Sequence, residues 1–257
     1  MNDSYKQHLI ESFEKNIRFD GRKNEDFRKV KVETGISKTA EGSARVTFGD
    51  TEVIAGIKIF LGAPFPDRPD EGAIMVNAEF LQMASPRFEG GPPGINAIEL
   101  SRVVDRGIRE SKAMDLKKLC LKKGEKVWVV SIDICIVNDA GNLQDASALA
   151  AIAALKDTTF PEYDGEKIDY KKKTDKKLPL TKEPVSTTIC KIGKKLFLDP
   201  TDEEFENVDS RLTVAITEDG TICALQKGGN YPLTIEEISK MIDLASQTSK
   251  KLRKHLQ

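Results

Sequence analysis

The sequence predicts an α+β chain made of two diverged halves, each a mostly antiparallel set of strands followed by helix. Three observations lead there. Alternating apolar runs fill residues 27–60 and recur over 185–228. Helical spacing follows each set, at 95–115 and 146–157 in the first half and at 234–256 in the second. Between them lies a Lys-rich stretch that resembles neither. The predicted organisation is an N-terminal helix and turn (1–24), a first half (25–160), a Lys-rich linker (161–184) and a second half (185–257).

The elements follow in order. "SYKQHLIESFEKN" places Tyr5, Leu9, Ile10 and Phe13 at helical spacing, with Ser4 as the expected N-cap. "FDGR" makes a turn. "RKVKVETGI" and "GSARVTFGDTEVIAGIKIF" read as strands, and Gly49-Asp50 marks a hairpin. "LGAPFPDRPDEG" and "SPRFEGGPPG" are loops by their Pro and Gly, flanking a strand in "AIMVNAEFLQMA". A helix over 95–115 is followed by "EKVWVVSIDICIVND", whose apolar centre suits an interior strand. "DASALAAIAALKD" is an Ala-rich helix. Residues 160–184 hold seven lysines and three prolines with little periodicity, as a linker or surface excursion would. Strands resume in "VSTTICKIG", "KKLFLDP", "NVDSRLTVAITED" and "TICALQKGG". The last helix opens with Thr234 and Glu237, a capping box.

Composition excludes several function classes. The only histidines are His8 and His255, near opposite ends, so Ser-His-Asp, Cys-His and His-based metal chemistry are disfavoured. The four cysteines form no C-x-x-C pair and read as core filler. No metal or cofactor is expected. Net charge is −1, so any polyanion site must be a local patch. No apolar run is long enough to span a membrane, and the opening lacks the basic start and apolar core of a signal peptide. The expected location is the cytoplasm.

On the helix 95–115, Leu100, Val103, Val104, Gly107 and Ile108 share one broad face. Arg102, Arg106 and Arg109 lie on the other, within about 60° of one another. Asp105 and Glu99 sit at intrahelical pairing distance. The row is either a solvated face laced with ion pairs or a set of guanidinium forks that grip phosphates. The Lys-rich segment offers the same alternatives, and Tyr170 is its only internal aromatic.

"NDAGNLQDAS" (138–147) has the turn chemistry of a loop that cradles phosphate at a helix entrance, but it holds no Lys, Arg or His. Asp145 is the expected N-cap of a helix over 146–157.

"IRFDGR", "GSARVTFGDTEVIAGIK", "IELSRVVDRGIRESKAMDL" and "VNDAGNLQDASALAAIAAL" together resemble the RNase PH family, from Asn16 to the C-terminus. Within it they are most similar to the non-catalytic RNase PH-like subunit of the archaeal exosome core. The resemblance implies the RNase PH-like fold, of the ribosomal protein S5 domain 2-like type. It also implies an association with phosphorolytic 3′→5′ RNA degradation. Active members carry a D-G-G-T/S-R-like loop that holds the attacking phosphate, and two Asp residues six apart that hold a metal or assist proton transfer. Here Leu143 and Gln144 stand near the hydroxyl and guanidinium positions, and Asp145 would repel phosphate. Phe205 and Arg211 align with the two aspartates. The resemblance therefore implies no catalytic residues in this chain. It implies a catalytic RNase PH-like partner subunit, three such heterodimers in a hexameric ring, RNA-binding cap subunits and single-stranded RNA. It assigns RNA-phosphate contact to Arg102 and Arg106, extends it to Arg109, and places Arg68 near a central pore. The alternative is a chain that is itself a phosphorolytic exoribonuclease.

Overall fold

The computed structural model describes residues 3–257; the first two residues of the opening stretch lie outside that range. The first half is built on β1 (Val30–Thr34), β2 (Gly42–Phe48), β3 (Thr51–Gly62), β4 (Ala73–Phe80), β5 (Cys120–Lys122) and β6 (Lys126–Asn138). They form one sheet ordered β1-β2-β3-β6-β4, with β5 also paired to β6. β2 and β3 are joined by Gly49 and Asp50, as the sequence predicts, and pair antiparallel. Along β3 every second residue from Thr51 to Ile59 is fully buried. β6 is interior, with Val130, Ile132, Ile134 and Ile136 in the core. The exception to antiparallel pairing is β4, which runs parallel to β6. A parallel return needs a crossover, and helix α2 (Ile95–Glu110) lies within that connection.

The second half is a four-stranded antiparallel sheet. Its strands are β9 (Val185–Ile192), β10 (Lys195–Leu198), β11 (Ser210–Ile216) and β12 (Ile222–Gly228), ordered β10-β9-β11-β12. Helix α5 (Ile235–Arg253) covers one face, burying Met241 and Ala245 against Ile189, Leu212, Val214 and Ile216. Its capping box, Thr234 with Glu237, is present. A short helix, α4 (Asp202–Glu206), precedes β11 and has its own capping box from Thr201 and Glu204.

Helix α3 (Leu143–Asp157) packs on β2 and β3 on one side and on β9 on the other. Every residue from Gln144 to Leu155 is buried. This explains its composition: small alanines let two sheets approach, and there is no solvent face to carry charge. Gly107 on α2 faces Ala215 and Ser186 of the second sheet, where an added methyl group would sit 3.6 Å from each.

Residues 161–184, read as a linker or surface excursion, hold most of an excursion: β7 (Thr159–Tyr163) and β8 (Ile168–Lys177) form a hairpin. Phe160 and Tyr163 pack against Trp128, which anchors its base, while the lysines remain outside. Two expectations are corrected. Ser4 lies within helix α1 (Asp3–Glu14) rather than capping it. And α1 belongs with the second half: Leu9 and Phe13 are buried against Cys190, Ile192 and Phe197. Among the described residues no helix is long and apolar enough to cross a membrane.

Candidate nucleic-acid interface

Helix α2 turns its apolar stripe, Leu100, Val104 and Ile108, into the core and leaves its arginines outward. The three arginines have different surroundings. Arg102 is exposed. Arg106 is half-buried and donates from Nη1 to Gln226 Oε1 on β12 at 3.0 Å. Arg102 and Arg106 both line a shallow groove of about 270 Å³ with Ile95, Ile98 and Gln226. Arg109 does not line it. Its guanidinium donates to Asp105 at 2.6 and 3.1 Å and to the Ile74 carbonyl at 3.1 Å, and the Asp105 bond holds its pKa above the ordinary value. Its fork is thus tied to its own helix and to β4. Arg68 is exposed in the loop after β3, within 4.0 Å of Glu71, and is not part of the groove.

The altered phosphate-type loop opens a second cavity, of about 400 Å³. α3 begins at Leu143, and its N-cap is Asn142 in the left-handed conformation, φ 55°. Asp145 is therefore not the cap at the entrance but the third residue of the helix, and it is fully buried. The Asn142 amide nitrogen donates to Asp145 at 3.2 Å and to Asp199 at 3.0 Å. The carboxyl also faces Thr188 on β9, whose hydrogen bonding favours its charged form. Burial pushes the Asp145 carboxyl up to about 7, with the nearby Asp199 carboxylate adding to the shift. Gly141, at φ 94°, is obligatory, since a Cβ there would lie 2.4 Å from the Pro200 carbonyl.

Leu143 and Gln144 line this cavity, where neither neutralises an anion. Two guanidinium groups, Arg87 and Arg211, face four carboxylates, Glu99, Asp139, Asp202 and Glu206, a formal excess of two negative charges. Arg87 pairs with Asp202, Glu206 and Asp139 together. Arg211 donates from one nitrogen to both Glu99 oxygens and stacks over the Phe205 ring at 5.2 Å. The two positions aligned with the family's aspartates thus meet as a cation on an aromatic ring.

The other carboxylates of 199–209 also have partners. Asp209 accepts from Lys6, and Glu203 from Tyr5. Glu204 receives Nε and Nη2 of the buried Arg18 at 2.9 and 2.5 Å. Asp199 receives Arg22 at 2.7 Å and Arg28 at 2.7 to 2.9 Å. Burial alone would raise Asp199, but these guanidinium groups hold it below its ordinary value. Arg28 also donates to the Ala140 and Gly141 carbonyls, so the N-terminal segment braces the altered loop. Sequence reasoning missed Arg18, Arg22, Arg28 and Arg87. The available signal was the acidic run at 199–209, six carboxylates without a cation, which calls for partners elsewhere in a charge-balanced chain. Among the described residues no three His, Cys, Asp or Glu side chains converge as metal ligands would.

Family models for the 3′ exoribonuclease family match this chain, domain 1 over residues 26–161 and domain 2 over 182–248. An exosome complex component Rrp42 from Archaeoglobus fulgidus is 46% identical over 251 residues, covering 98% of this chain and 95% of that protein. One from Methanosarcina acetivorans is 47% identical, covering 96% and 91%. A chain of the Archaeoglobus fulgidus exosome with RNA bound to the active site superposes with a TM-score of 0.92 at 44% identity, covering 99% of this chain and 98% of that one. Rice Rrp46 shares the fold at a TM-score of 0.69 and 19% identity, covering 93% and 97%. The two matched domains and this near-complete coverage place the chain in the 3′ exoribonuclease (RNase PH) family.

Proposed function

We propose that this chain is a non-catalytic ring subunit of an archaeal-type exosome, a 3′→5′ RNA-degrading complex of the cytoplasm. It pairs with a catalytic RNase PH-like subunit, and three heterodimers close a hexameric ring that supports RNA-binding cap subunits. It helps to form the partner's active site and holds single-stranded RNA by its phosphates. The observation that carries the non-catalytic reading is the cavity at the altered loop. Where the family's resemblance implies a phosphate cradle and an aspartate pair, this chain has Leu143, Gln144 and an Arg211–Glu99 pair inside an acidic wall. Phosphate, as a nucleophile carrying negative charge, is disfavoured there by several neighbouring carboxylates.

The RNA contact is assigned to Arg102 and Arg106, which share one open groove. Guanidinium forks grip phosphate without reading sequence, which suits a degrader of many RNAs. Arg109, tied to Asp105 and Ile74, positions the helix, and Arg68, exposed in the loop after β3, is assigned to the central pore of the ring.

Two measurements test this. The purified chain, given RNA, phosphate and Mg²⁺, releases no nucleoside diphosphate; robust release would overturn the non-catalytic reading. In a complex reconstituted with a catalytic partner, Arg102→Glu with Arg106→Glu weakens RNA binding and turnover while the ring stays intact. Unchanged binding and turnover in that ring would remove the arginines from the RNA path.

A further inference from the structure

Two carboxylates lie one helical turn from Arg102 on α2, Glu99 before it and Asp105 after it. At that spacing either could pair with Arg102 along the helix surface. Both are occupied elsewhere. Asp105 accepts from Arg109 with both oxygens, at 2.6 and 3.1 Å. Glu99 accepts from Arg211 on β11 with both of its own, at 2.7 and 2.8 Å. Yet Glu99 lines the groove of Arg102 and Arg106 as well as the cavity at the altered loop. Among the described residues Arg102 has no carboxylate partner, although it shares that groove with one.

Arg106 also keeps its charge. It donates to Gln226 Oε1 at 3.0 Å, and the Gln226 amide nitrogen donates to the Lys227 carbonyl at 3.3 Å. A neutral acceptor aims the guanidinium without neutralising it. Glu110, four residues after Arg106, is exposed and lies outside the groove.

Arg211 is aimed at Glu99 from the second sheet. Its guanidinium lies 5.2 Å from the centre of the Phe205 ring. It also passes over Gly228, its register partner on β12, where a Cβ would collide with it. As a brace between the halves the half-open pair contributes little. Its larger effect is on the groove, where it cancels a full negative charge beside Arg102.

We propose that Arg211 is a positioning residue for RNA binding. It draws the Glu99 carboxylate off Arg102, as Arg109 draws off Asp105, so that Arg102 meets an RNA phosphate with its charge intact. The inference rests on the assignment of RNA contact to Arg102 and Arg106. Without Arg211, Glu99 turns to Arg102, and a phosphate must displace it.

The test is fluorescence anisotropy of single-stranded RNA on the complex reconstituted with a catalytic partner, without phosphate so that the RNA is not consumed. Arg211→Gln should weaken binding by about two- to fivefold at low salt, the range set by an exposed ion pair as competitor. Adding Glu99→Gln should restore the affinity, although the brace between the halves stays broken. In an Arg102→Gln background, Arg211→Gln should have no further effect, because it acts through Arg102. Arg211→Lys, which keeps a cation on Glu99, should recover the binding that Arg211→Gln loses. Gel filtration and thermal melts check the ring and the fold of each variant. Where the Arg211→Gln ring does not assemble, Arg109→Gln with and without Asp105→Asn makes the same comparison at the other carboxylate. Three results would overturn the proposal while leaving the RNA contact of Arg102 and Arg106 in place. They are unchanged affinity in an intact Arg211→Gln ring, no recovery on adding Glu99→Gln, and a loss that adds in full to that of Arg102→Gln. Unchanged affinity in Arg102→Gln itself would instead overturn that contact, and this inference with it.

Discussion

Arg211 and Glu99 join the two halves of the molecule: one guanidinium nitrogen on β11 donates to both carboxylate oxygens of a residue on α2, at 2.7 and 2.8 Å. The pair is partly open to solvent, so its worth is modest. Arg211→Ala should destabilise the chain by about 1 kcal/mol, from the lost hydrogen bonds and the lost stacking on Phe205. Arg211→Lys should recover part of that, since one nitrogen makes both bonds, but not the stacking of a planar guanidinium. Urea denaturation of the three proteins measures the order.

Arg18 and Glu204 form the more deeply buried pair, with side-chain exposures of 0% and 6%. Removing one partner strands a charge in the interior, so Arg18→Ala should cost about 3–5 kcal/mol. The loss should appear first as increased hydrogen exchange in α4 and β10, because Arg18 also holds the Leu198 and Asp199 carbonyls. Exchange increasing only in the first sheet would contradict this.

Asp145 makes stability depend on pH. Its carboxyl rises from 3.8 to about 7 on folding, so the folded state binds the proton more tightly than the unfolded chain. The contribution is fully present below pH 3.8 and is lost as pH rises through about 7. Asp145→Asn should therefore stabilise the chain at pH 8 and remove this slope, by at most about 4 kcal/mol for a shift of that size. Melting temperatures of both proteins across pH 5 to about 8 test the sign; a variant that melts lower at the alkaline end would refute it.

RNA binding should report on α2 through salt. If Arg102 and Arg106 each neutralise one phosphate, their double substitution by Gln should reduce the slope of log affinity against log salt by about 1.4. The same substitution at Arg109 should change the slope by less, because Asp105 already neutralises its guanidinium. Fluorescence anisotropy with single-stranded RNA at several salt concentrations gives both slopes.

Periodicity was enough to read β1 to β4, β6 and β9 to β12, together with α2, α3 and α5, because each buries one face or, for α3, every face. It missed α4, five residues long and almost entirely acidic, since so short a helix shows no apolar repeat. The Lys-rich hairpin was hidden for a related reason: β8 is exposed along most of its length, and its anchor is Phe160 and Tyr163 on the preceding strand. At the candidate site, the replacement of the phosphate-holding residues was legible as Leu143 and Gln144. The contents of the replaced site were not. Arg87 lies in a loop more than a hundred residues before Asp202 and Glu206, and a single sequence carries no sign of pairing across that span. Asp145 looked like a cap because Asp favours helix entrances; the tertiary position of Asn142, held by Asp199, decided otherwise.

The docking of α1 on the second sheet sets a timetable for synthesis. Phe13 leaves the ribosome early, but its partner Phe197 stands 184 residues later, with ring centroids finally 4.6 Å apart. At roughly 5–20 residues per second the helix waits on the order of ten to forty seconds with Leu9 and Phe13 uncovered. During that interval the first sheet can assemble on its own contacts, while the N-terminal helix remains a client for any chaperone near the exit tunnel.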